Sequence, residues 1–446
     1  MNSLTLESIR DCFDGEIPAI IATCAPDGVP NGSYVSQLHY VDADHVALSF
    51  QFFNKTHANI QANPVAVVLV ANPVTAARYR VKMSYLRTET AGPVFENMKA
   101  KLAGIASHTG MGGVFRLQGA DIYSVAGISA IPGSVLPTPP GRSLLAAVRQ
   151  FSQSIMRWNE LETLLDGSLQ EIETLLGVRQ SMIHWLDETA ERLYLVASRG
   201  YAQSGVGSEI QLGQGVIGSA ARARTSIRIN HATSEYTYSR AAKESVRQSQ
   251  LADRLEAEIP LAGLPAPGSQ LAVPIMARMQ LLGTLYLETT EDSQFGYDEE
   301  DAVVAIAQHL GLAAHMLEQT GERLDELPRR SAGPPQPSGQ PASIRHYRAD
   351  DTIFIDDNYL IKGVAGAILW KLLRDLETNG RSEFTNRELR LDPALSLPDL
   401  SSNLEARLIL LQRRLAERCP FLGIEKTGRG RFRLRVARPL KLLEIA

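Results

Sequence analysis

The apolar positions change period along the chain, and each change marks a different kind of element. At first they alternate. Residues 19–24 form a short apolar run closed by the turn Ala25-Pro-Asp-Gly28, and residues 32–40 predict a second strand. Val46, Leu48 and Phe50 alternate with Ala47, Ser49 and Gln51; Tyr79, Val81 and Met83 alternate with Arg78, Arg80 and Lys82. A period of two belongs to strands with one buried face. Residues 65–70 are a continuous Val-rich run, which predicts a strand covered on both faces. Short strands this close together predict a small antiparallel barrel.

From residue 143 the period lengthens. Leu144, Val148, Phe151, Ile155 and Trp158 recur at helical spacing and predict one long helix over 143–176. Strand-like runs follow at 181–186, 192–197, 270–276 and 281–288. A closing helix from Asp298 carries the stripe Val303, Ile306, Leu310, Ala314 and Leu317. These two helical stripes either pair across a two-fold, which predicts a homodimer, or pack on their own sheet.

In the last part, 351–360 reads as a short strand region. Residues 363–376 read as a helix with Ile368, Leu369, Leu372, Leu373 and Leu376 on one stripe, Trp370 beside it and Asn379-Gly380 to end it. Thr385-x-x-Glu388 has the capping-box pattern of a short second helix. Residues 403–418 predict a third helix with Leu404, Leu408, Leu411 and Leu415 as its buried stripe. Asn403, Arg407 and Arg414 fall together beside that stripe, with Arg418 close by, so the helix can present an Asn/Arg face outward. Ile409 and Leu410 form a second apolar flank, either partly exposed or taken by a partner. Gly428 and Gly430 suit a tight hairpin with Arg429 and Arg431 at its tip.

Two stretches dense in Pro and Gly, 131–141 and 328–341, can continue neither helix nor inner strand. They divide the chain into 1–130, 142–327 and 343–446, with 328–342 read as an extended, flexible linker. The full 446 residues are too long for one core and fit about three domains of ~100–200 residues each. The net charge of −4 is unevenly placed: from Ser343 onward there are 19 Lys and Arg against 14 Asp and Glu, and from Asn403 onward 11 against 4. An acidic body with a basic end confines any polyanion contact to that end. Major grooves admit a helix, and Arg and Asn suit guanine and adenine edges. Arginines on a hairpin tip suit phosphates or the minor groove. No run of 18 apolar residues occurs and the N-terminus lacks a signal-peptide pattern, so a cytoplasmic protein with no membrane contact is expected. Cys12, Cys24 and Cys419 are scattered, with no metal-ligand spacing. His39, His57 and His108 stand alone in the sequence, so no catalytic set can be singled out.

Three resemblances follow from these motifs. The order strand, PDGVPN, strand, strand and Asn54-Lys-Thr-His-Ala-Asn59-Ile-Gln-Ala-Asn-Pro64 resembles the pyridoxamine-phosphate-oxidase-like, FMN-binding split barrel. The resemblance implies a flavin phosphate held by Lys55 and Thr56, a cation and a short donor as such a group needs, with Ser36, Gln51 and Asn54 in reach of the rest of the cofactor. Members of this superfamily also bind haem, for which His39 or His57 would serve, and some bind nothing. Residues 144–320, through Gly213-Gln-Gly-Val-Ile-Gly218 and the SQLAVPI and LLGTLYLE strands, resemble a GAF domain. That implies an α/β sensory unit, with Tyr236, Tyr238 and Arg240 at a small-ligand pocket, or a dimer scaffold. Residues 345–436 look like the winged-helix effector domain of response regulators, which implies DNA contacts from Asn403, Arg407, Arg414, Arg418, Arg429 and Arg431. The expected architecture is therefore multidomain: an antiparallel β split barrel, an α/β GAF domain and a winged helix-turn-helix. The expected function is a redox- or ligand-responsive transcription regulator. The alternative is a split-barrel flavin oxidoreductase with a regulatory GAF module.

Overall fold

The computed structural model describes residues 4–13, 17, 19–35, 37–50, 55–108, 117–137, 143–229, 259–321, 338–395, 404–428 and 430–445. The first unit contains β1 (Ala19–Cys24), β2 (Pro30–Val35), β3 (Leu38–Tyr40), β4 (His45–Phe50), α1 (Lys55–Ala62), β5 (Val65–Ala71), β6 (Arg78–Glu89), α2 (Pro93–His108) and β7 (Gly119–Ile131). Its strands form one antiparallel sheet in the order β2-β1-β5-β6-β7-β4-β3, open between its two edges, a half-barrel. The stretch at 32–40 is two strands, not one. The Val-rich β5 alternates buried and exposed residues, with Val65 and Leu69 exposed, so it is covered on one face only.

The middle unit contains α3 (Leu144–Ile155), α4 (Leu161–Leu176), β8 (Gln180–Asp187), β9 (Arg192–Arg199), β10 (Glu209–Gln211), α5 (Gly215–Ala223), β11 (Ile227–Ile229), β12 (Ser269–Ala277), β13 (Gln280–Thr289) and α6 (Tyr297–Gly321). Its sheet runs β10-β9-β8-β13-β12-β11. The helix expected over 143–176 is broken between Ile155 and Leu161, where Trp158 turns back and lays its indole over Gly167 of α4. Both helical stripes are used inside the chain. Phe151, Val303, Ile306 and Leu310 are fully buried, with α6 packed on β12 and α3, so both stripes pack within the chain.

The last unit contains β14 (Ala342–Tyr347), β15 (Thr352–Ile355), β16 (Asn358–Ile361), α7 (Gly363–Asn379), β17 (Glu383–Thr385), α8 (Asn386–Leu391), α9 (Leu404–Arg418), β18 (Leu422–Gly428), β19 (Arg431–Val436) and β20 (Leu440–Ile445). One sheet runs β16-β15-β14-β20 and the other β17-β19-β18. Helix α7 ends at Gly380, whose positive φ suits glycine. The Thr385 hydroxyl accepts from the Glu388 N–H while Glu388 caps Thr385 in return. One apolar core runs unbroken through the middle and last units, joining Leu164 and Val196 to Ile409 and Leu410. The two units are therefore packed directly together; residues 322–337, most of the expected flexible linker, lie outside the described residues.

Gly283 of β13 lies opposite Trp185, and a Cβ there would collide with the backbone carbonyl of His184. Gly283→Ala should wedge the two central strands apart, costing about 1–3 kcal/mol and lowering the thermal midpoint by several degrees. Calorimetry that finds the midpoint unchanged would disprove this close packing.

Candidate functional site

The helix α9 has nine buried residues out of 15, more than a single apolar stripe supplies. It is covered on one side by α7 and β16 of its own unit and on the other by α4 and β9 of the middle unit. Ile409 and Leu410, the second flank, are 1% and 5% exposed in that contact. The partner that this flank called for lies in the same chain.

This burial corrects the outward placement of two arginines. Arg407 is 4% and Arg414 3% exposed. The Arg407 Nη2 lies 3.0 Å from the Asp187 carboxylate at the end of β8. Arg414 donates from Nε and Nη2 to the Leu360 carbonyl, both at 3.1 Å, and from Nη1 to Glu417. A helix sandwiched on two sides has no room for a free polar face there. Arg418 is exposed, as expected, and Arg431 is half-buried. Asn403 and Arg429 lie outside the described residues.

Other cations cross the same seam. Arg413 donates to the Val196 carbonyl at 2.7 Å and to Asp166 at 2.8 Å. Lys426 of the hairpin strand β18 meets Glu160 at 2.9 Å, and Lys362 meets Glu209 at 3.4 Å. Arg413, Lys426 and Lys362 were missed because nothing local distinguishes them: their partners lie more than 150 residues away.

In the first unit, Lys55 and Thr56 open α1. Lys55 is exposed, and the Thr56 hydroxyl accepts from Asn31 at 2.9 Å. Ser36, Gln51 and Asn54 lie outside the described residues. One residue on, His57 stacks on Phe50 at 4.0 Å between ring centroids and brings Nδ1 to 3.4 Å from Asp121 of β7. Thr88 donates to the other Asp121 oxygen at 2.6 Å and meets the Tyr85 hydroxyl at 2.8 Å. Burial raises the Asp121 pKa against the opposing pull of Thr88 and His57. His57 thus does not stand alone; its carboxylate partner arrives from strand β7, 64 residues further on. Among the described residues no group of three or more His, Cys, Asp or Glu is placed to hold a metal, and no helix is long and apolar enough to cross a membrane.

Residues 5–119 match the family model described as pyridoxamine 5'-phosphate oxidase, and residues 160–314 match the GAF domain. The chain carries a pyridoxamine-phosphate-oxidase-like domain followed by a GAF domain. No curated protein matches the chain. Among solved structures, the GAF domain of an Acinetobacter phosphoenolpyruvate-protein phosphotransferase is 22% identical, covering 40% of this chain and 97% of that one, with a TM-score of 0.31. An FMN-binding protein from Syntrophomonas wolfei is 19% identical over 29% of this chain and 86% of that one, TM-score 0.25. A free methionine-R-sulfoxide reductase from Neisseria meningitidis is 14% identical over 42% and 98%, TM-score 0.31. At these scores none carries functional weight.

The GAF sheet has a polar stripe on the face turned to α5. His184, Thr284, Tyr286 and Glu288 share that face through the β8–β13 register. Glu288 is buried. It accepts from the Leu264 N–H at 2.7 Å and from the Tyr286 hydroxyl at 3.1 Å, and burial raises its pKa in spite of them. Tyr236, Tyr238 and Arg240, expected at a ligand pocket, lie outside the described residues.

His184 is fully buried, with no hydrogen-bond partner on either ring nitrogen among the described residues, and burial lowers its pKa to about 3. It is neutral in the fold and protonated when unfolded below about pH 6.5. Its contribution to stability is therefore complete above that pH and is lost as pH falls from 6.5 toward 3, at ~1.4 kcal/mol per pH unit. His184→Leu should flatten that part of the stability–pH curve, measured by urea denaturation. An unchanged slope would show that His184 does not carry it.

Proposed function

We propose that the chain is a signal-responsive transcription regulator whose C-terminal unit is a winged helix that binds DNA. The carrying observation is the order sheet, α7, α8, α9, hairpin in that unit, with its cations gathered on carboxylates of the GAF domain. In this reading α9 stands in the place of the recognition helix and β18–β19 form the wing. Asp187, Asp166 and Glu160 then occupy positions that DNA phosphates would take. The docked arrangement is the silent state, because a helix covered by protein cannot enter a groove about 12 Å wide. Undocking frees Arg407 and Arg413, while Arg414 stays tied to Leu360 of its own unit and serves as a structural residue. The GAF domain senses or relays a small ligand, and the protein acts on DNA as a homodimer.

Asp166 and Glu160 are surface carboxylates, so replacing both by arginine removes two attractions and adds repulsion without opening a core. The double variant should bind the protein's own upstream DNA at least tenfold more tightly than the parent by fluorescence anisotropy, with affinity falling steeply as salt rises. Arg418→Ala in that background should weaken binding again. If neither protein shows salt-sensitive binding, the DNA reading fails.

The first domain is proposed to hold FMN through Lys55 and Thr56. A second reading, a flavin-dependent oxidoreductase with the GAF domain as its regulator, is favoured by the His57–Asp121 pair beside those residues. The visible spectrum of freshly purified protein separates the cases: a flavin band supports FMN, a Soret band supports haem and a colourless preparation supports neither. Lys55→Ala should release the flavin on gel filtration; a variant that retains full flavin would move the phosphate site elsewhere.

A further inference from the structure

One face of the first domain's sheet is exposed, and its residues fall in ordered rows. Across β2, β1, β5 and β6 the register lines up Tyr34, Ile20, Leu69 and Arg80. Gly32, Ala22, Val67 and Lys82 make the next row, which Gly127 of β7 continues. Residues paired across neighbouring strands share a face, here the one opposite the buried Ile21, Val68 and Val81. Tyr34 is 77% exposed, and Ile20, Leu69 and Val65 are exposed with it. Apolar side chains gathered this way mark a contact surface, as scattered ones do not. A Cβ at Gly32 or Gly127 would meet nothing within 4 Å, so the floor between the larger side chains is flat and open. A second sheet can pack on such a floor at about 10 Å.

The charges on this face lie on one strand. Arg78, Arg80 and Lys82 occupy every second position of β6, all exposed, and none has an ion-pair partner among the described residues. A polyanion would match these cations but leave Ile20, Leu69 and Val65 in water. An occupant that covers both must offer apolar groups to the β1 and β5 columns and something a cation favours to β6. This face itself offers both, because Tyr34 stands as far to one side of the β1–β5 boundary as Arg80 stands to the other.

We propose that two copies of the chain meet here, sheet against sheet, about a two-fold axis that runs along the strands between β1 and β5. That axis exchanges left and right within each row. Tyr34 then faces Arg80 of the partner subunit, a cation over an aromatic ring. Ile20 faces Leu69 of the partner subunit, and Gly32 leaves room for Lys82 of the partner subunit. An in-plane axis across the strands would instead set β6 on its own copy, cation against cation, which like-charge repulsion disfavours. Assigning this surface rests on the homodimer proposed above but not on DNA binding.

Sedimentation equilibrium of the full chain at micromolar concentration, without DNA, tests the surface. The parent should be a dimer. Tyr34→Arg sets arginine against arginine twice per dimer and should weaken association about tenfold or more, with the thermal midpoint unchanged because the residue is exposed. Adding Arg80→Tyr exchanges the two side chains and should bring the dissociation constant back to within about threefold of the parent. Should Tyr34→Arg fold poorly, Arg80→Glu, which loses the cation from the ring, should weaken the dimer in its place. A monomeric parent overturns the homodimer and the surface together. A dimer that the folded variants leave intact keeps the homodimer and overturns the surface. Loss of the dimer in Tyr34→Arg without recovery in the exchanged pair overturns the pairing of Tyr34 with Arg80.

Discussion

Helix α9 holds the C-terminal unit to the GAF domain, and the arrangement of the second half of the chain depends on that contact. Its leucines satisfy its own unit, and Ile409 and Leu410 extend the apolar core across to Val196 and Leu164. Burying that flank supplies the non-directional part of the attraction, about 25 cal/mol per Å². The Arg407–Asp187 pair supplies direction. Such a buried pair contributes little net stability when whole, yet removing one partner costs several kcal/mol because a charge is left stranded. It therefore specifies one docking geometry among many that grease alone would allow. The more exposed pairs, Arg413–Asp166 and Lys426–Glu160, are each worth about 0–1 kcal/mol. They adjust the contact and are the natural points at which charge, salt or a ligand could loosen it.

Polar and ionic contacts also join the first domain to the GAF domain. Asn97 on α2 bonds to Thr225 just after α5, and Arg10 reaches Asp298 and Asp301 at the start of α6. Within that seam Glu300 is almost fully buried. Burial works against its charge, but Lys101 from the first domain and Arg228 from its own outweigh this and hold its pKa below the usual range. Both ends of the GAF domain thus meet a neighbour across a seam that holds a buried ion pair. A change at the GAF sheet can reach either neighbour through contacts that are already made.

Much of the local structure was legible because it is set within a few residues. The capping box at Thr385, the stop at Gly380, the strands β1, β8, β9, β12 and β13 and the leucine stripe of α9 all express short-range periodicity or turn chemistry. The errors have one physical source. A helix-long pattern over 143–176 hid the return of Trp158 onto Gly167, and the Val-rich β5 read as doubly covered though Val65 and Leu69 are exposed. Which face meets protein and which meets water depends on the neighbour, not on the run itself.

The candidate sites divide in the same way. The sequence alone determined that the C-terminal end is basic, that α9 carries arginines beside a leucine stripe, and that Ile409 and Leu410 were one apolar flank too many. It also singled out Lys55 and Thr56, which the structure puts at the start of α1. Only the tertiary structure decided that Arg407 faces Asp187, that Arg414 is tied to the Leu360 carbonyl, and that His57 meets Asp121. Periodicity can show that a side chain leaves a helix in a given direction. What it meets there is set by segments tens to hundreds of residues away, whose approach depends on the packing of the whole chain.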